Sequence, residues 1–182
     1  MKAIGIVGSP RKNGNVDTLV QAVLDGASES GYQTKKFYLN EMSYSGCQGC
    51  SSCKVNDRCR LDDDVSELLT EMKEADAVVF GSPIYVYQFA GQFKLMEDRM
   101  FSLIDKDFKS RLMPGKKAVI VTSQGDPNPS TFDNVTQEFA KSLNLLGFKV
   151  VDTIKMVSGG NPNAAKGRKD LLEKAKAAGR SL

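Results

Sequence analysis

The amino-acid sequence predicts an α/β fold on a doubly wound, five-stranded parallel sheet of order 2-1-3-4-5. Short apolar runs alternate with longer stretches whose apolar residues recur at spacings of three and four. Three of the runs are almost unbroken Val, Ile, Ala and Phe, as parallel strands covered on both faces require. A chain of 182 residues, 41% hydrophobic and 26% charged, suits one core, so 1–182 is read as a single domain.

The strands are expected at Ala3–Val7, Thr34–Leu39, Ala77–Phe80, Ala118–Thr122 and Lys149–Ile154. Helices fit between them. Thr18–Ser28 carries Leu19, Val20, Val23 and Leu24, and Val65–Glu74 carries Val65, Leu68, Leu69 and Met72. Phe89–Ile104 sets Phe89, Phe93, Met96, Met100 and Leu103 on one stripe. Thr131–Leu146 does the same with Phe132, Val135, Phe139, Leu143 and Leu146, and Gly147 follows as its C-cap. A last helix covers about Lys169–Ala178. Right-handed crossovers then bring the loops after strands one to four to one sheet edge, where such folds bind ligands.

Composition narrows the chemistry. There is no histidine, which excludes Ser-His-Asp and Cys-His nucleophile systems, HExxH zinc sites and imidazole ligands. A net charge of +3 is too mild to argue for nucleic acid, and the basic tail from Lys166 is interrupted by Asp170 and Glu173. No apolar stretch approaches the roughly 20 residues of a membrane span, and Met1–Gly8 is too short for a signal peptide. A cytoplasmic location is therefore expected. In that compartment, clustered cysteines serve as ligands or redox groups rather than structural disulfides.

The first loop, Gly8-Ser9-Pro10-Arg11-Lys12-Asn13-Gly14-Asn15-Val16-Asp17-Thr18, leaves a strand and opens a helix. A helix N-terminus offers unpaired N–H groups and positive dipole to a phosphate. Ser9, Asn15 and Thr18 add hydrogen-bond donors, and Arg11 adds a charged fork. Neither a Walker A signature nor GxGxxG is present, so a compact monophosphate site is expected. After the third strand, Gly81-Ser82-Pro83-Ile84-Tyr85-Val86-Tyr87 supplies the apolar wall that a flat aromatic cofactor needs.

Gly8-Ser9-Pro10-Arg11 with Gly14-Asn15, Gly81 to Tyr85, and Gly91-Gln92-Phe93-Lys94 with Asp98-Arg99 together resemble the flavodoxin-like NAD(P)H-dependent FMN reductase superfamily. The resemblance covers nearly the whole chain. It implies FMN, with its phosphate at Ser9, Arg11 and Asn15 and its ring beside Pro83, Ile84, Tyr85, Val86 and Tyr87. By the same analogy Ser123, Gln124 and Gly125 border the ring. One departure is Val16, where such proteins often carry a hydroxyl; backbone N–H groups or Thr18 are the expected substitutes.

The connection 40–63 holds all four cysteines, spaced C-x2-C-x2-C-x5-C at Cys47, Cys50, Cys53 and Cys59. A connection this long without regular structure is usually functional. Close thiols of this kind hold iron–sulfur clusters, while zinc and a C-x-x-C redox disulfide are the other readings. Lys54, Arg58 and Arg60 can offset the charge of a tetrathiolate site. Asp64 with Glu67 has capping-box spacing at the start of the following helix. With the flavin motifs, this segment resembles the iron–sulfur flavoprotein family. That family implies a [4Fe-4S] cluster on the four cysteines, a ferredoxin-type electron donor, a small acceptor such as O2, peroxide or quinone, and a homodimer or homotetramer. Two other functions fit the same residues. One is a cluster-free NAD(P)H-dependent FMN or quinone reductase, and the other is a non-enzymatic flavodoxin-like electron carrier.

Overall fold

The computed structural model describes all 182 residues. In chain order the elements are β1 (Lys2–Val7), α1 (Asn15–Glu29), β2 (Gln33–Tyr38), the single turn α2 (Ser52–Val55), α3 (Asp64–Glu74), β3 (Ala77–Tyr85), β4 (Gln88–Phe89), α4 (Gly91–Arg99), β5 (Lys117–Ser123), α5 (Asp133–Leu146), β6 (Lys149–Met156) and α6 (Lys169–Arg180). Three 3₁₀ turns follow β2, α4 and β6. The strands form a flavodoxin-like α/β sheet in the order β2-β1-β3-β5-β6, every pair parallel.

The expected five-strand description needs one correction. A sixth strand, the two-residue β4, lies off this path and pairs antiparallel with the end of β3 through Ile84–Phe89 and Tyr85–Gln88. β3 accordingly runs on to Tyr85 instead of ending at Phe80. Phe89 therefore belongs to a hairpin, and the expected long helix is shortened to α4 plus a 3₁₀ turn at Met100–Leu103. Its apolar stripe is still the buried face: Phe89, Phe93, Met96, Met100 and Leu103 are all buried.

Alternation along the strands divides the core in two. Ile4, Ile6, Val78, Phe80 and Ile120 face α3, α4 and α5, where Phe80, Phe93 and Phe139 meet edge to face. Val7, Val79, Val119 and Val121 face α1 and α6. Gly147 ends α5 in the left-handed conformation, φ +97°, as a C-cap. At the start of α3 the capping residue is Asp63 rather than Asp64: its carboxylate accepts from the Ser66 N–H at 3.2 Å. No helix is long and apolar enough to cross a membrane.

Candidate functional site

β1, β3 and β5 release three loops at the same sheet edge, because Val7 pairs with Gly81 and Pro83 pairs with Ser123. The first loop stays tied to β3 through the Gly8 N–H, which donates to the Gly81 carbonyl at 2.7 Å. A β-carbon at Gly8 would lie 2.8 Å from the Phe93 side chain, so this approach requires glycine. Ser9 is buried and its Oγ accepts from the Arg11 N–H at 3.1 Å. The Asn13 N–H donates to Asp17 Oδ2 at 2.7 Å. Asp17 is itself buried and held from β2, by Lys36 at 2.6 Å and the Tyr38 hydroxyl at 3.2 Å. The loop is thus fixed before any ligand arrives. At the start of α1 the N–H groups of Asn15, Val16 and Asp17 have no partner in the chain, which is the donor set of an anion site. Arg11 is exposed beside them and forms no ion pair.

The side-chain donors divide differently from expectation. The Asn15 amide donates to the carbonyls of Gly159 at 3.1 Å and Asn161 at 2.8 Å, and its Oδ1 accepts from the Ala165 N–H at 2.9 Å. This side chain anchors the segment after β6, so what Asn15 offers an anion is its backbone N–H. Thr18 is half-buried one turn into α1, its N–H bonded to the Gly14 carbonyl. Val16 is buried against β3, 2.9 Å from where a Gly81 β-carbon would stand. A hydroxyl there would face the core, so the sequence departure at Val16 has a packing reason. The Ser9 hydroxyl and the Arg11 guanidinium donate to nothing in the chain and remain available beside the open N–H groups.

The second loop is the β3–β4 hairpin. Buried Ser82 holds it, its Oγ accepting from the Ala90 N–H at 3.1 Å and donating to the Pro83 carbonyl at 2.9 Å. Pro83 and Ile84 are buried, whereas Tyr85, Val86 and Tyr87 are 44%, 94% and 72% exposed. Val86 and Tyr87 form the two-residue turn with φ of +48° and +63°. The Tyr87 ring meets Phe132 edge to face at 5.4 Å. In the third loop Ser123 and Gln124 are buried and Gly125 is exposed. Gln124 Nε2 donates to the Asn128 carbonyl at 2.7 Å.

The sequence reading missed the segment after β6. Gly159 donates to the Gln124 carbonyl at 2.8 Å, and a β-carbon on it would stand 2.5 Å from Ser123 Oγ and 3.3 Å from Asn15 Nδ2. It therefore joins the first and third loops, and the Gly159-Gly160 pair was the available signal.

The cysteine connection contains only a 3₁₀ turn at Leu39–Glu41 and the single turn α2. Gly49 and Ser51 turn it sharply with φ of +62° and +55°. All four thiols are free: Cys47 and Cys50 are exposed, Cys59 is half-buried and Cys53 is buried. They share one irregular loop, but no three Cys, Asp or Glu side chains converge closely enough to hold a metal ion. The donor chemistry of four free thiols fits a thiolate-bound centre; the chain alone does not close the ligand set.

Cations hold this loop, only one of them expected. Arg58 and Arg60 are exposed. Lys54 Nζ donates to the carbonyls of Phe101 and Ile104 at 2.8 Å each and lies 3.4 Å over the Phe101 ring; burial lowers its pKa. Arg111 Nη1 donates to the Cys53 carbonyl at 2.7 Å. Arg99 is 1% exposed and forks onto Asp63, Nη1 to Oδ2 at 2.8 Å and Nη2 to Oδ1 at 3.0 Å. Burial pushes the Asp63 pKa up, but the bonds from Arg99 and from the Ser45 and Ser66 N–H groups outweigh it and hold the carboxyl below its ordinary range. Arg99 was legible, since it follows Met96 by three on the buried face of α4; nothing near Arg111 marks it.

The profile of the NADPH-dependent FMN reductase family matches residues 1–161. An iron–sulfur flavoprotein of Methanocaldococcus jannaschii is 42% identical over 99 residues, covering 54% of this chain and 51% of that protein, so the match spans about half of that relative's length. An iron–sulfur flavoprotein of Archaeoglobus fulgidus is 31% identical over 177 residues, covering 95% of this chain and 86% of that protein. An FMN-dependent NADH-azoreductase from Bacillus anthracis, solved in complex with FMN, shares the fold at a TM-score of 0.76 and 13% identity, covering 100% of this chain and 99% of that one. The loop that opens α1, the hairpin after β3 and the cysteine connection thus sit on a matched framework, and the chain belongs to the NADPH-dependent FMN reductase family, as kin of the iron–sulfur flavoproteins.

Proposed function

We propose that this chain is a redox flavoprotein that passes electrons between a ferredoxin-type donor, a [4Fe-4S] cluster and FMN, with reduction of a small acceptor such as O2, peroxide or quinone. The observation that carries the reading is the pairing of two features in one chain. One is a pre-fixed anion loop at the start of α1, and the other is a cysteine connection with four free thiols. The family match supports FMN, and the names of the relatives support the cluster.

In this reading the N–H groups of Asn15, Val16 and Asp17, with Ser9 and Arg11, hold the FMN phosphate. Thr18 completes that turn of the helix. Pro83, Ile84, Tyr85, Val86 and Tyr87 cover the ring on one side and exclude water, and Ser123, Gln124 and Gly125 border it. Cys47, Cys50, Cys53 and Cys59 hold the cluster. FMN exchanges either a hydride or single electrons and the cluster single electrons only, so the pair converts between the two. The protein's part is binding and placement, which suits a chain without histidine. A cytoplasmic homodimer or homotetramer, with no nucleic-acid or membrane partner, belongs to the same reading.

The test is composition after anaerobic purification. FMN together with iron and acid-labile sulfide in equal amounts is the expected result. FMN alone, with rapid oxidation of a nicotinamide, identifies a cluster-free FMN or quinone reductase instead. Zinc, or free thiols with only stoichiometric electron exchange, identifies a flavodoxin-like carrier.

A further inference from the structure

Arg99 is the largest of the fully buried side chains, and its bonding is unequal. Nη1 donates to the Ser45 carbonyl and to Asp63 at 2.8 Å each; Nη2 donates to Asp63 at 3.0 Å and to Ser66 Oγ at 2.9 Å. Nε is buried and has no acceptor in the chain. A charged donor buried without an acceptor is costly, so the fold tolerates it only for a reason. Ser45 stands two residues before Cys47, and Asp63 four residues after Cys59. The guanidinium therefore ties together the two ends of the cysteine segment. Asp63 and Ser66, the side chains that hold it, share a cleft with Cys59. That cleft, about 790 Å³ and also lined by Ser102, is met by Cys59 alone of the four cysteines and has room for a body larger than a thiol.

We infer that Arg99 is a positioning residue for the cluster, directing its remaining Nε–H and its charge to the sulfur of Cys59 when that thiolate is a ligand. The inference rests on the reading of the four cysteines as cluster ligands. An N–H bond and a positive charge at a ligand sulfur favour the reduced, more negative cluster and raise its potential. Asp63 partly neutralises that charge while fixing the fork. Lysine cannot replace this arrangement, because one nitrogen cannot serve Ser45, Asp63, Ser66 and a sulfur in fixed directions.

The test is an anaerobic potentiometric titration of the holoprotein, with iron and sulfide content, for the unsubstituted chain, Arg99→Lys and Asp63→Asn. Arg99→Lys is expected to shift the cluster to lower potential. Asp63→Asn, which leaves the guanidinium without its counter-charge, is expected to shift it to higher potential, with the FMN potential unmoved in both. Intact iron content and an unshifted cluster potential in both variants overturn the assignment. If Arg99→Lys fails to retain a cluster, Asp63→Asn decides alone: an upward shift supports the assignment and no shift overturns it. An unsubstituted protein without iron and sulfide overturns the cluster reading itself and takes this inference with it, a failure visible before any substitution is made.

Discussion

Asn15 shows how a polar side chain reads one way in sequence and another in the fold. Asn15 stands in a phosphate-loop pattern, yet its amide joins the start of α1 to the chain after β6, 144–150 residues away. No local signal marks such a bond. Tyr44 sits at the entrance to the cysteine connection, where its hydroxyl donates to the Gln92 carbonyl at 2.6 Å and anchors that entrance to α4. Burial pushes its pKa up to about 12. The neutral phenol is thus the form that suits the fold, and the sign follows. Its contribution to stability is complete below the ordinary tyrosine value near 10 and is lost as pH rises from there towards about 12. Absorbance titration should find a late-ionising phenol that Tyr44→Phe removes, beside that of Tyr32, whose pKa burial also raises. That variant should also lower stability at neutral pH by about 1 kcal/mol. A phenol that ionises with the other tyrosines would show that the anchor does not form.

The element least legible in the sequence is the β3–β4 hairpin. Pro83 inside a strand and Val-Tyr at a tight turn both run against ordinary pattern, so Gly81–Tyr87 reads as a loop. The strand continues because β5 pairs with it as far as Pro83, after which Gln88 and Phe89 return along it. Val86 at φ +48° is a β-branched residue in the left-handed region, 94% exposed, with no packing to compensate. Strain of this kind collects where a segment serves a ligand rather than the fold. Val86→Asn should relieve it, since Asn suits both central positions of such a turn. The expected gain is about 1 kcal/mol, read as a higher urea midpoint with unchanged slope. If Asn stabilises the protein but weakens FMN binding, Val86 is there for the ring; a destabilised variant would mean that the turn is not as described. The cysteine connection contrasts with the hairpin. Its spacing suggests thiolate ligands, while its supports, Arg99 and Arg111, act across 54 and 58 residues of sequence.

At the scale of the whole molecule, the sheet order, the two-faced core and the edge that carries the loops follow from runs and periods alone, because buried strands and amphipathic helices have few other ways to pack. What periodicity does not convey is how closely two helices approach. α1 and α6 meet almost backbone to backbone: a β-carbon at Gly26 would stand 2.0 Å from the Lys176 carbonyl oxygen, and one at Gly179 would stand 1.9 Å from that of Val23. Neither atom belongs to a flexible side chain, so a methyl group must part the helices. Gly179→Ala should therefore cost about 1–3 kcal/mol or more, a fall of roughly 3–10 °C in melting temperature. Gly167→Ala, where the added carbon meets nothing within 4 Å, should leave the melting temperature unchanged and serves as the control. The contact lies at the C-terminal end of α1, while the anion loop opens its N-terminal end, at Asn15. FMN content at low temperature should therefore stay intact in Gly179→Ala. Loss of FMN without loss of melting temperature would mean that α6 sets the position of α1 at the site, and that the sheet alone does not hold the anion loop in place.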